Sequence, residues 1–151
     1  MVIVSEPIKI DNQILIEPLK KYVQLNKCCS GYPNCEHPKI QSDARLFEFD
    51  CSAVKKLAES YYQTLQQIMN KEINILENRS WVFLNQANTK PELLWHQHCS
   101  ENKFAHNIIE VSGIYYVTPT KVGTMYKNDF MTLETIPHMN RWYIWDSSIS
   151  H

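Results

Sequence analysis

Apolar residues recur at three- and four-residue intervals over residues 53–73, and this spacing predicts the clearest helix of the chain. Ser52 directly precedes the segment and is suited to cap its first turn, because a serine hydroxyl can accept a backbone N–H. One face of this helix is therefore expected to pack against a core. The apolar stripe consists of Val54, Leu57, Ala58, Tyr61, Leu65, Ile68 and Met69.

The first fifty residues carry weaker patterns. Apolar residues cluster at 8–16, ahead of Pro18, and they predict short strands or turns followed by a short helix that begins at Leu19. Residues 27–42 contain a glycine, two prolines, three cysteines and few aliphatic side chains. That composition is typical of a long loop rather than of a core element.

The pattern changes after residue 80. Segments 81–84, 111–117 and 142–144 are rich in β-branched and aromatic residues, and turn-forming residues separate them. Such segments behind a helix predict an α+β, mainly β chain, with a helix-flanked antiparallel sheet or jelly-roll. We expect residues 1–151 to form a single domain, because 151 residues is an ordinary domain length.

Charge and composition exclude several classes of function. The 15 basic and 16 acidic residues give a net charge of −1, so nucleic acid is not an expected partner. The sequence lacks both an unbroken apolar run of membrane-spanning length and an N-terminal basic stretch leading into one, so we expect a cytoplasmic protein without a membrane association. The five cysteines are an odd number and are expected to be reduced thiols.

His96 and His98 form a His-x-His pair. Side chains two residues apart on a strand project from the same face and can converge on one ion, whereas on a helix they would diverge. Imidazole is a common ligand for first-row metals, and one further histidine or carboxylate would complete a three-point site with open positions. The alternative interpretation is that both histidines are solvated residues at the edge of a loop.

Three short motifs follow one another along the chain: Trp95-His96-Gln97-His98, the Ser-Gly-Ile-Tyr-Tyr-Val segment at 112–117, and residues 142–151, which end in His151. In this order they resemble the 2-oxoglutarate- and iron(II)-dependent oxygenase superfamily, including the catalytic cores of prolyl hydroxylases. The resemblance covers residues 81–151, about half of the chain. It implies a double-stranded β-helix over residues 80–151, Fe(II) as the metal, and 2-oxoglutarate as co-substrate for hydroxylation of a small molecule or peptide.

The resemblance also implies three metal ligands. His96 and His98 stand at the positions of the paired ligands, and His151 stands at the position of the distal ligand. Many members of the superfamily have a carboxylate where His98 stands, so an all-histidine set leaves the metal with a higher net positive charge. Other acidic residues could supply a carboxylate, although none matches the motif: Glu101, Asp129 and Asp146.

The second motif is expected to line the co-substrate pocket. Tyr116 matches a tyrosine that, in prolyl hydroxylases, contacts the far carboxylate of 2-oxoglutarate. By strand parity Ile114 and Ser112 share its face, which makes them further candidates for contact with the co-substrate. The alternative role for Tyr116 and the neighbouring Tyr115 is simple packing within the sheet.

One element of the family pattern is missing from the sequence. The family places an arginine or lysine on the strand after the distal histidine, where it pairs with the far carboxylate of 2-oxoglutarate, but this sequence stops at His151. We expect that the chain is shortened relative to the family core, which puts the activity of this chain in doubt. Otherwise another basic residue replaces the anchor, and the candidates are Lys121, Lys127 and Arg141.

Other hypotheses remain open. A cupin-like metal protein shares the barrel and uses a His-x-His pair followed by a glutamate and a later histidine, although Glu101 follows His98 too soon for that pattern. A non-catalytic jelly-roll binding domain would not require the three histidines to converge. In the loop at 27–42, a zinc site is an alternative to reduced surface thiols, on a cluster of four residues: Cys28, Cys29, Cys35 and His37.

Overall fold

The computed structural model describes four stretches of the chain: residues 1–26, 41–84, 95–98 and 108–151. Within these stretches, none of the helices has both the length and the apolar character needed to cross a membrane. The chain divides into two compact units. One combines Met1–Lys9 with Pro91–His151, and the other is Ile10–Lys90.

The first helix of the Ile10–Lys90 unit, α1, spans Gln13–Leu25 and contains Pro18. The prediction of strands or turns before a helix beginning at Leu19 was therefore wrong. Three aliphatic side chains of α1 are buried: Leu15, Leu19 and Val23. Burial of each stabilises the protein by about 1.5–3 kcal/mol, and together they outweigh the roughly 3 kcal/mol cost of a proline inside a helix. The residues that α1 buries continue through the proline at helical spacing: Leu15, Leu19, Tyr22 and Val23.

The second helix, α2, spans Ser52–Met69 and packs against α1. It confirms the helix predicted at 53–73, but it ends earlier because Asn70 adopts a left-handed conformation with φ of 49°. Asparagine tolerates that conformation better than most residues and so terminates helices. The prediction of Ser52 as N-cap was wrong by one position, because Cys51 is the N-cap and makes no side-chain capping bond.

The strand predicted at 81–84 is present only as isolated pairings in the same unit. Phe83 bridges to Gln41, and Ser80 bridges to Arg45. Between them the main chain of Val82 exchanges hydrogen bonds with Ser42, whose Oγ accepts the Val82 N–H at 2.9 Å. These residues therefore join two distant segments without forming a longer strand.

The other unit is built on a three-stranded antiparallel sheet. Its strands are β1 (Val2–Val4), β2 (Val111–Tyr115) and β5 (Trp142–Asp146), in the spatial order β1-β5-β2. The strands predicted at 111–117 and 142–144 are thus present, with slightly different ends. The central strand β5 carries four consecutive buried residues, as expected for a strand that is covered on both faces: Trp142, Tyr143, Ile144 and Trp145.

A second, two-stranded sheet in this unit was not predicted. It pairs β3 (Met125–Lys127) with β4 (Thr132–Glu134), and the Asn128 carboxamide oxygen accepts the N–H groups of Phe130 and Met131 in the turn. Helices and antiparallel sheets together make the described residues a mixed α+β structure. These sheets do not close into a barrel within the described residues.

Candidate metal centre

His96, His98 and His151 lie together in the structure. One nitrogen from each ring lies within 4.8 Å of the corresponding nitrogens of the other two. The ring centroids are 4.8 Å apart for His96 and His98, 4.5 Å for His96 and His151, and 4.7 Å for His98 and His151. The structure therefore gathers all three candidate ligands, although the last is far from the pair in the sequence.

Main-chain pairing explains why these side chains meet. The N–H of His96 donates to the His151 carbonyl at 3.2 Å, and the N–H of His151 donates to the His96 carbonyl at 3.1 Å. Two residues that exchange both bonds form a directly opposed antiparallel pair, and such a pair places its side chains on one face. His98 shares that face by its two-residue spacing, and its N–H donates to the Ser147 carbonyl at 3.1 Å.

A hydrogen bond to the main chain fixes which nitrogen of His151 can bind a metal. Its Nδ1 lies 3.1 Å from the Ile149 carbonyl oxygen. Since a carbonyl oxygen can only accept, Nδ1 carries the proton and Nε2 keeps its lone pair. Metal-binding histidines typically have their other ring nitrogen held in this way, because the bond sets both the tautomer and the orientation of the ring.

The surroundings keep two of the rings uncharged. Partial burial, together with His151 and His96 nearby, lowers the pKa of His98 to about 4. Burial is also the main reason that the pKa of His151 is lowered, with His96 contributing and the bond to Ile149 opposing. Both imidazoles are therefore neutral at neutral pH, which is the form that binds metal ions.

The donor set fits a first-row metal ion after a small adjustment of the rings. Two nitrogens bound to one ion at about 2.1 Å each cannot be more than about 4.2 Å apart. The widest pair in the cluster, up to 4.8 Å, has to close slightly, which rotation of the exposed His96 side chain allows. Three imidazoles on one side of an ion leave its remaining positions open for other ligands.

The described residues contribute no carboxylate to this cluster. Asp129 and Asp146 are not members, and the Asp146 carboxylate accepts the N–H of Ser148 at 2.8 Å. Glu101 lies outside the described residues, as do the four candidates for a zinc site: Cys28, Cys29, Cys35 and His37. The cluster is thus an all-histidine set within the described part of the chain.

Two of the candidate co-substrate residues, Ser112 and Ile114, lie on one face of the main sheet, and Tyr116 lies just beyond the end of β2, where it bridges to Met139. Ser112 is paired with Trp145 across the sheet and Ile114 with Tyr143. The Ser112 and Ser147 hydroxyls are 2.8 Å apart. Ser147 therefore connects Ser112 to His98, because the Ser147 carbonyl accepts the His98 N–H. Farther along, the Tyr116 hydroxyl lies 2.7 Å from Thr124 Oγ1, and its ring packs edge-on against Tyr143 at 5.5 Å.

Of the three basic residues considered as anchors, Lys127 lies beside the cluster. Its N–H donates to the Ser150 carbonyl at 2.8 Å, and its ammonium group sits 5.7 Å from the centre of the Trp95 ring. Arg141 is engaged elsewhere, since its Nη1 donates to the Ser5 carbonyl at 2.7 Å. Lys121 is an exposed residue.

Two aromatic residues that were not predicted as site residues border the distal histidine. The Trp145 ring packs edge-on against His151, with centroids 4.9 Å apart, and Tyr126 lies 6.4 Å from the same imidazole. Both side chains are buried, at 4% and 3% exposure. Trp145 lies within the third sequence motif, six residues before His151, but nothing in the sequence pointed to Tyr126.

Comparisons with protein-family models, with curated proteins and with solved structures found no match for this chain. The proposals below therefore rest on the geometry of the three histidines and on the sequence motifs.

Proposed function

We propose that this chain binds a divalent first-row metal through His96, His98 and His151, and that it is an Fe(II)- and 2-oxoglutarate-dependent oxygenase. The observation that carries the proposal is the convergence of three imidazole nitrogens within 4.8 Å. Three ligands on one side of the ion leave room for a bidentate co-substrate and dioxygen. The proposal includes a double-stranded β-helix as the complete core, with the three-stranded sheet as part of it.

The chain's own residues have defined tasks in this proposal. The paired main chains of His96 and His151 fix the spacing of two ligands, and the Ile149 carbonyl orients the His151 ring. The Tyr116 hydroxyl, 2.7 Å from Thr124 Oγ1, would contact the far carboxylate of 2-oxoglutarate. When bound, iron with 2-oxoglutarate and dioxygen supplies the oxidation of a substrate C–H bond, with release of succinate and carbon dioxide.

The described residues provide an all-histidine donor set, and such a set favours a second candidate function. Without a carboxylate ligand, the metal keeps its full positive charge, which changes its redox properties and the metals it prefers. A cupin-like metal protein that does not use 2-oxoglutarate would accommodate such a set. The convergence of the histidines argues against a non-catalytic binding domain, which has no need for it.

An anaerobic titration with Fe(II), with and without 2-oxoglutarate, distinguishes these functions. Chelation of iron by the 2-oxo acid gives a weak visible charge-transfer band, which we expect in the wild type and in His138→Ala, a histidine outside the cluster. His98→Ala should lose it. Metal binding without the band would favour the cupin-like function, and failure of the wild type to bind metal would refute both.

A further inference from the structure

Ser147 is a buried residue directly after β5, and each of its polar groups is bonded to another segment of the chain. Its N–H donates to the Glu110 carbonyl at 3.1 Å, and its carbonyl accepts the His98 N–H at 3.1 Å. Its hydroxyl lies 2.8 Å from the hydroxyl of Ser112 on β2. Burial of a hydroxyl costs free energy unless it has such a partner. Ser147 therefore joins the start of β2 to the segment that carries the paired histidines.

The register of the main sheet explains why the two serines meet. Ser112 is paired with Trp145 across the sheet. The bond from Ser147 to Glu110 continues the same antiparallel register beyond the end of β5. Ser112 and Ser147 are thus diagonal neighbours on one face of the sheet, where their side chains can interact.

The segment between Ser147 and His151 departs from a regular antiparallel ladder. His96 and His151 form a directly opposed pair, so a regular ladder would carry the His98 N–H to the Ile149 carbonyl. The His98 N–H bonds to the Ser147 carbonyl instead, two residues earlier in the chain. The segment therefore bulges, and bulges beside functional sites re-aim side chains. The bulge leaves the Ile149 carbonyl to accept the Nδ1 proton of His151.

We propose that the contact between the Ser112 and Ser147 hydroxyls positions His98 relative to the other two metal ligands. Because the bulge interrupts the ladder, the spacing of His98 from His151 depends on where the Ser147 carbonyl lies. The contact with Ser112 fixes that part of the backbone to β2. This inference rests on the metal centre of the proposed function, and it makes Ser112 a positioning residue for a ligand rather than a contact for 2-oxoglutarate.

Visible absorption of bound Co(II) tests this inference, because the d–d bands report both the affinity and the geometry of the site. Ser112→Ala and Ser147→Ala should each weaken Co(II) binding by roughly three- to tenfold, as the loss of one hydrogen bond would, and should shift the bands. The double variant should bind no more weakly than either single variant, because all three remove the same contact.

Ser148→Ala is the matched control, because it removes the hydroxyl of the adjacent serine. That hydroxyl donates to the Asp146 carboxylate, which also accepts the Ser148 N–H, so one bond of the turn remains in the variant. Ser148→Ala should therefore keep the affinity and the spectrum of the wild type.

The outcomes separate this inference from the proposed function. If the wild type and both single variants bind Co(II) with the same affinity and spectrum, the serine contact does not position His98, and the metal centre stands. Additive losses in the double variant, or an equal loss in Ser148→Ala, would show general destabilisation and also overturn the inference. Failure of the wild type to bind Co(II) would overturn the metal centre and the inference together. Should Ser147→Ala fail to fold, the comparison of Ser112→Ala with Ser148→Ala decides.

Discussion

Removal of the His151 ring is the sharpest test of the metal centre, because the structure supplies the ring's contacts and a matched control. A ligand that binds only the folded protein stabilises it by about 2.7 kcal/mol at a hundred times its dissociation constant. For a protein of 151 residues, 1 kcal/mol corresponds to about 2–4 °C in melting temperature. Zn(II) should therefore raise the melting temperature of the wild type by about 5–11 °C under those conditions.

His151→Ala should remove this increase, because only two imidazoles remain. The half-buried ring also packs against Trp145, so the variant starts from a lower metal-free melting temperature, and each protein is compared with its own chelator-treated sample. Scanning calorimetry near neutral pH gives both values. His138→Ala is the control, because it keeps the backbone N–H that donates to the Tyr143 hydroxyl at 2.8 Å. An equal Zn(II)-induced increase in His151→Ala and the wild type would refute the three-histidine site.

Two further predictions concern the metal-free protein. The pKa values of His98 and His151 are lowered in the folded protein, so the unfolded chain binds protons more readily. The free energy of unfolding should therefore fall as the pH drops from about 6.5 towards 4. A urea denaturation midpoint that does not change over this pH range would contradict the prediction. Ser42→Ala leaves the Val82 N–H unbonded in a buried site and should cost about 1–3 kcal/mol in urea unfolding, whereas an unchanged midpoint would argue that water replaces Oγ.

The helices show which parts of the fold a sequence pattern can predict. The stripe of α2 repeats without interruption and identified the helix, because local spacing alone determines such a face. In α1 the same spacing joins Leu15, Leu19 and Val23, but it passes through Pro18, which was interpreted as a boundary. The prediction was wrong because the cost of Pro18 inside a helix was treated as decisive, although burial of these apolar side chains stabilises the helix by more than that cost.

The candidate site shows the same limit at longer range. The parity of His96 and His98 predicts that their side chains share a face, and the third motif added His151. The pairing of His96 with His151 could not be predicted from the residues, because the register between distant segments depends on the whole sheet. Tyr126 lies on β3, in a hairpin that the sequence did not predict. Its position beside His151 therefore could not be predicted either.

The reciprocal main-chain bonds between His96 and His151 make the ligand spacing a property of the backbone rather than of the side chains. The identity of the ligands can then change while the frame that presents them stays the same. One substitution, His98→Asp, would convert the three-imidazole set into two histidines and a carboxylate and lower the charge of the centre by one. Because the backbone fixes the positions of the ligands, a single substitution could change the metal preference, in evolution or by design.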